Sequence, residues 1–326
     1  MQTTLPAVLL LALTAAAGTT PGQEKFDPAA RAKTIAPFID EQTILVMHAE
    51  LARVKIGRLC DELVEWLPEI KEEIDLPKMA AAGVLSSFVQ AGGKDVYVLL
   101  SLADVSVAPP HQLPLTFIVP LPAGSDGKAM ASVLGAIPLE AKQRIGGVFF
   151  AGSRAALERA KQGKPEVRPE LAKAFAAAGD STAQVLLLPP KYTRRVIEEL
   201  MPALPKVIGG GPSTIITDGL LWAAAGVDPP PRMSLRVTVQ SKNPQAAAAL
   251  KNKWADVCRA AREDVETAGL LPSYDEVVKL LTPEVQGDRL VVVLDDKNGG
   301  AAKLLAAVKS AIEKAREHAR RKVVPR

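Results

Sequence analysis

His48 and Glu50 are the side chains best placed to do chemistry together. They stand two apart at the end of the apolar, β-branched run 43–49, which Glu50 directly follows, and the two-residue repeat of a strand sends both to one face, where they could share a proton or a metal ion. One imidazole and one carboxylate make half of such a site. A histidine at the polar end of a strand serves more commonly as a hydrogen-bonded or surface group. The chain has three histidines in all; His111 falls in the turn Pro109-Pro110-His111-Gln112 and His318 in the last helical run, neither with an evident partner set. Were the chain an enzyme, carboxylates such as Glu50 or Asp104 would have to carry the acid–base work. The two cysteines, Cys60 and Cys258, fall on helices of different halves. An oxidising compartment permits a disulfide between them, which loop entropy would make worth about 4 to 5 kcal/mol. Ile56, Leu59 and Leu63 surround Cys60 at helical spacing and favour two buried free thiols instead.

Familiar signatures fail residue by residue. Gly124-Ser125-Asp126-Gly127-Lys128 is not a phosphate loop, because Pro122 stands at the first glycine position and Ala129 replaces the metal-binding hydroxyl. Ile208-Gly209-Gly210-Gly211-Pro212 reads as a turn that ends a helix rather than an anion cradle. In Asp295-Asp296-Lys297-Asn298-Gly299-Gly300, Lys297 and Gly299 occupy positions where a calcium loop needs oxygen ligands, which leaves a strand-to-helix turn. No G-x-S-x-G, H-E-x-x-H or C-x-x-C occurs. No catalytic residue, metal set or cofactor is expected.

Composition and the N-terminus address compartment. A chain that is 48% hydrophobic and 23% charged has the balance of a globular protein, and an aromatic content of 4% supplies few stacking platforms for nucleic acid. No nucleic-acid partner is expected. Residues 5–17 form a short apolar run closed by Ala15 and Ala17 in an A-x-A pattern; residues 1–17 read as a signal peptide, too short to span a bilayer and without a following cysteine for a lipid anchor. The expectation is an extracytoplasmic protein, periplasmic or secreted, with no transmembrane segment after cleavage and with residues 18–36 as a linker.

Internal similarity organises the remainder. Asp61-Glu62-Leu63-Val64-Glu65-Trp66-Leu67-Pro68 and Glu198-Glu199-Leu200-Met201-Pro202-Ala203-Leu204-Pro205 share an acidic-acidic-Leu opening and a Leu-Pro end. Each follows a strand-like run, 43–49 or 183–188. Further strand-like pairs flank the proline apices at 109–110 and 229–231: runs 96–102 and 115–119, then 213–227 and 233–239. Helices follow near Gly127 and Pro244, and each half closes with a strand and helix, 145–151 with 154–162 and 289–294 with 301–319. Extra helical segments near 78–90 and 273–281 account for unequal spacing. The expected fold is α+β, two diverged βαββαβ repeats of the ferredoxin-like split βαβ type, with antiparallel or mixed sheets and helices on one face. The first repeat would span 37–165, the second 166–319, with a basic tail at 320–326.

Pro37-Phe38-Ile39-Asp40-Glu41-Gln42-Thr43-Ile44-Leu45-Val46, followed by Leu51-Ala52-Arg53-Val54, resembles the start of uncharacterised exported bacterial proteins in which a signal peptide precedes such a strand and helix. The resemblance implies a bacterial, extracytoplasmic protein and no activity. Charge adds the final element. From Lys303 to Arg326 there are eight basic and two acidic residues, a net +6 in a chain whose total is +4. Leu304, Leu305, Val308, Ile312 and Ala315 recur at helical spacing, predicting that one stripe docks while the basic face stays wet. Arg316, Arg320, Arg321 and Lys322 are candidate contacts for an anionic envelope component or an acidic protein partner, or else cations that complement the helix dipole. The leading expectation is a non-catalytic exported protein with a partner-binding or cell-envelope role. A carrier of a small apolar ligand and an enzyme of unrecognised family are the alternatives.

Overall fold

The computed structural model describes residues 26–66, 71–105, 114–125, 127–137, 139–162, 168–205, 209–229, 233–263 and 273–323. The expected leader at 1–17, the turn that carries His111 and residues 324–326 lie outside the described residues. The chain divides into two units, Met1–Pro190 with Ala224–Arg232, and Lys191–Ala223 with Met233–Arg326.

The first unit runs α1 (Pro28–Ile35), β1 (Thr43–Glu50), α2 (Ile56–Trp66), α3 (Lys71–Gln90), β2 (Asp95–Ser101), α4 (Leu102–Val105), β3 (Leu115–Pro120), α5 (Lys128–Val133), β4 (Ala141–Ile145), β5 (Val148–Gly152), α6 (Arg154–Gln162), α7 (Pro169–Ala178) and β6 (Ala183–Leu187). Its strands lie in the order β4-β5-β3-β2-β1-β6. β1 pairs antiparallel with β2, setting His48 opposite Tyr97 and Glu50 opposite Asp95, and antiparallel with β6, setting His48 opposite Gln184. A split βαβ unit would instead place its two helix-linked strands parallel, with another strand between them. Here two helices return the chain to an adjacent antiparallel strand.

Helices cover both faces of this sheet, where one covered face was expected. Val96, Val98, Val119 and Phe149 pack with Phe88 of α3 and Met130 of α5 on one side. On the other, Phe175 of α7 meets the His48 and Tyr97 rings edge-on, with centroids 6.4 Å away from each. β5, Val-Phe-Phe-Ala-Gly, is buried along its whole length because Phe149 and Phe150 alternate between these two layers. Each fully buried side chain of that size contributes about 1.5 to 3 kcal/mol.

The linker assigned to 18–36 contains α1. Asp27 caps it, its carboxylate accepting from the amides of Ala29 at 2.8 Å and Ala30 at 3.1 Å, and Pro28 opens its first turn. Ile35 at its end is fully buried. The strand expected at 145–151 is a hairpin, β4 and β5, turned at Gly146 and Gly147; Gly146 has φ +56°, which favours glycine.

The second unit contains α8 (Lys191–Leu200), α9 (Thr214–Thr217), β8 (Ser234–Gln240), α10 (Pro244–Glu263), α11 (Tyr274–Leu281), β9 (Glu284–Gln286), β10 (Arg289–Asp295) and α12 (Gly300–Val323); β7 (Trp222–Asp228) begins in it and continues in the first unit beside β6. Residues 214–217, expected to be extended, form α9. β10 pairs antiparallel with both β8 and β9. Asn298 Oδ1 accepts from the amides of Asp295 and Gly300, making residues 295–300 the anticipated strand-to-helix turn. α12 docks by Ala301 and Ala307, but Val308 and Ile312 are 46% and 36% exposed, so docking lapses after two turns. Its backbone stays helical through Arg320, Arg321 and Lys322, where a tail had been expected from residue 320. Among the described residues no helix is long and apolar enough to cross a membrane.

Candidate functional site

Two groups of polar side chains lie on the α7 face of the first unit. The first is centred on His48, whose side chain is fully enclosed. Its Nε2 lies 2.7 Å from Asp95 Oδ1 and its Nδ1 lies 3.4 Å from Arg31 Nη1. A guanidinium only donates, so Nδ1 is the acceptor and the neutral ring donates its Nε2–H to Asp95. Burial lowers the His48 pKa from 6.5, opposed by the hydrogen bond to Asp95 and reinforced by the Arg31 charge. The ring also stacks on Tyr97, with centroids 4.6 Å apart.

Arg31 reaches down from α1 and ties this group together. It donates to Gln184 Oε1 at 2.7 Å and to Glu50 Oε2 at 3.1 Å, while Phe26 covers its guanidinium at 4.8 Å. Arg53 holds the other Glu50 oxygen at 2.9 Å and Asp180 at 3.0 Å. Gln184 Nε2 donates at 2.6 Å to the Gly179 carbonyl at the end of α7. Burial raises the Glu50 pKa in spite of the two arginines. Both sequence candidates therefore meet here, but each polar atom named has a partner, and the partners come from α1, α7, β2 and β6. Such a network orients elements. Both ring nitrogens of His48 are engaged in it.

The second group surrounds a cavity of about 260 Å³ at the opposite end of β1 and β2. Asp40 Oδ1 accepts from Thr43 Oγ1 at 2.8 Å, and both Asp40 oxygens accept from Ser101 Oγ at 3.0 Å. Asp104, buried at the start of α4, accepts from Arg159 Nη2 at 2.6 Å and from Ser153 Oγ at 3.3 Å. Arg159 Nε lies 3.4 Å from Asp40, so one α6 guanidinium spans both carboxylates. Ser153 also caps α6, accepting from Ala156 N at 2.9 Å. Sequence reasoning singled out Asp104 alone of this set. Asp40 was signalled by its short spacing to Thr43 in a loop before a strand, whereas Arg159 looks like any surface arginine on a helix.

The remaining candidates are distributed over the two units. Cys60 in the first unit and Cys258 in the second are buried and free, and burial raises both thiol pKa values. In the second unit Lys253 Nζ donates to the carbonyls of Gly209 at 2.9 Å and Gly210 at 2.6 Å, so this turn offers oxygen atoms to a cation of the chain itself. No group of three or more His, Cys, Asp or Glu arranged for a metal ion occurs among the described residues. The side chains of Arg316, Arg320, Arg321 and Lys322 lie outside the described ones.

No family model and no curated protein matches the chain. Two solved structures, crystal forms I and III of TP0453, are similar to it at 11% and 12% identity, each with a TM-score of 0.34. They cover 89% and 84% of this chain and 99% and 97% of their own. A likeness of that size carries no functional argument.

Proposed function

We propose that the chain is a non-catalytic, exported protein that associates with anionic cell-envelope material through the far end of α12. The observation that carries the reading is the exposure of Val308 and Ile312 beyond the docked part of that helix, in a segment with a net charge of +6. An amphipathic helix with apolar residues on one side and Lys and Arg around them suits a negatively charged surface. Export is supported by the leader-like residues 1–17 and by the A-x-A at Ala15 and Ala17. The enclosure of His48 and Glu50 in a partnered network supports a structural use of the side chains best suited to acid–base work.

Duplication belongs to the same proposal. β3, α5 and the β4–β5 hairpin repeat as β8, α10 with α11, and the β9–β10 hairpin, and in each set the second hairpin arm pairs with the leading strand. An ancestral unit of that form, copied once, would account for both.

The test is sedimentation of the purified full-length mature protein with phosphatidylglycerol vesicles or phosphatidylcholine vesicles. Binding to the anionic vesicles that fades once the Debye length falls well below about 8 Å, and that deletion of Arg320 to Arg326 weakens, is the expected result. Equal binding to both vesicle types, or salt-independent binding, contradicts it. N-terminal sequencing of fractionated cells that found Met1 intact in the cytosol would remove the export half of the proposal.

A further inference from the structure

The cavity beside Arg159 belongs to the first unit, and its walls are sorted by chemistry. Phe38 and Phe150, with ring centroids 6.3 Å apart, line it together with Ile39 and Leu99. Asp40, Asp104 and Arg159 line it too, leaving a net charge of −1 inside a partly apolar cleft. Carboxylates have spare capacity here: Asp104 Oδ1 takes a single hydrogen bond, from Ser153 at 3.3 Å, among the described residues.

Thr116 adds a polar group to the same wall. It is 7% exposed, lines the cavity, and its hydroxyl has no hydrogen-bond partner among the described residues. Gly152 beside it keeps the hydroxyl clear, since a Cβ there would stand 2.9 Å from Thr116 Oγ1. A hydroxyl on this wall can take a hydrogen bond from solvent or from a guest.

We propose that this cavity binds a small organic cation, an alkylammonium compound that carries an oxygen function. The ammonium group is attracted by the excess carboxylate charge and by the aromatic walls, as quaternary ammonium groups are in aromatic cages. The oxygen function meets Thr116. A cavity of about 260 Å³ limits the ligand to a few heavy atoms.

Choline is the probe, and 3,3-dimethylbutan-1-ol is its uncharged isostere of nearly the same shape. Calorimetric titration of the full-length protein is expected to show saturable, one-site binding of choline at least about tenfold tighter than that of the alcohol, equivalent to about 1.4 kcal/mol. Thr116→Val and Phe38→Leu, both mild enough to preserve the fold, are each expected to weaken choline severalfold without lowering the melting temperature. Asp40→Asn is expected to reduce choline binding further, with the alcohol unaffected. The proposal is overturned if choline does not bind at tens of millimolar, if the alcohol binds as tightly, or if binding is undiminished in both Thr116→Val and Phe38→Leu.

Discussion

At one end of β1, His48 and Glu50 enter a network in which each donor named has an acceptor; at the other end Asp40 and its neighbours border a cavity. Both groups lie on the same face of one antiparallel sheet. Around His48 the partners arrive from α1, α7, β2 and β6, so the hydrogen bonds hold elements in place. Around Asp40 and Asp104 the partners come from β1, β2, α6 and the turn before it, and the same side chains border a cavity. Buried polarity thus serves as mortar in one place and as a lining in the other. Several elements converge on both groups; the difference lies in what the charges border, packed side chains in one place and a cavity in the other.

The largest expected effect tests the mortar. Arg31→Ala leaves Glu50, Gln184 and His48 without a shared donor inside a largely buried network, which is expected to cost about 3 kcal/mol in urea denaturation. A loss below about 1 kcal/mol would show that α1 is held by packing alone. Asp104→Asn keeps the shape of the cavity wall but discards a charge whose partner, Arg159, is about one-third exposed, so a loss near 1 kcal/mol is expected. A loss as large as that of Arg31→Ala would erase the contrast between the two sites. Thr116→Val removes a hydroxyl with no hydrogen bond to another described residue and should change stability by no more than about 0.5 kcal/mol in either direction.

Much of this contrast was legible in particular stretches of sequence. The helix at 154–162 and the proline start of α10 follow directly from apolar period and capping, and the two-residue spacing of His48 and Glu50 correctly placed them on one face. α1 was missed because Pro-Ala-Ala-Arg-Ala-Lys-Thr-Ile shows almost no apolar stripe, although Asp27-Pro28 is a start signal. The β4–β5 hairpin was missed because Gly146-Gly147 sits inside a run that reads as one strand, even though two glycines are a hairpin signal. The partners of His48 were out of reach for another reason. Arg31, Asp95 and Gln184 are brought together by strand pairing and helix docking, and no local pattern encodes that choice.

The claim that the His48 network is structural, with a neutral imidazole at its centre, is tested most directly by stability as a function of pH in the wild type and in His48→Gln. The folded pKa lies below the unfolded 6.5, because burial disfavours the charged ring. Above 6.5 both states hold the ring neutral and its contribution is fully present. As pH falls below 6.5 the unfolded chain takes up a proton that the folded chain refuses, so stability declines, by at most about 1.4 kcal/mol per pH unit for one group. Glu50, whose pKa is raised from 4.5, acts with the opposite sign at lower pH and is present in both proteins, so to first approximation it cancels in the difference. Urea denaturation between about pH 7.5 and about pH 5.5 is predicted to show a steeper fall for the wild type than for His48→Gln. Parallel curves, or a wild type that gains stability relative to the variant as pH falls, would contradict the account.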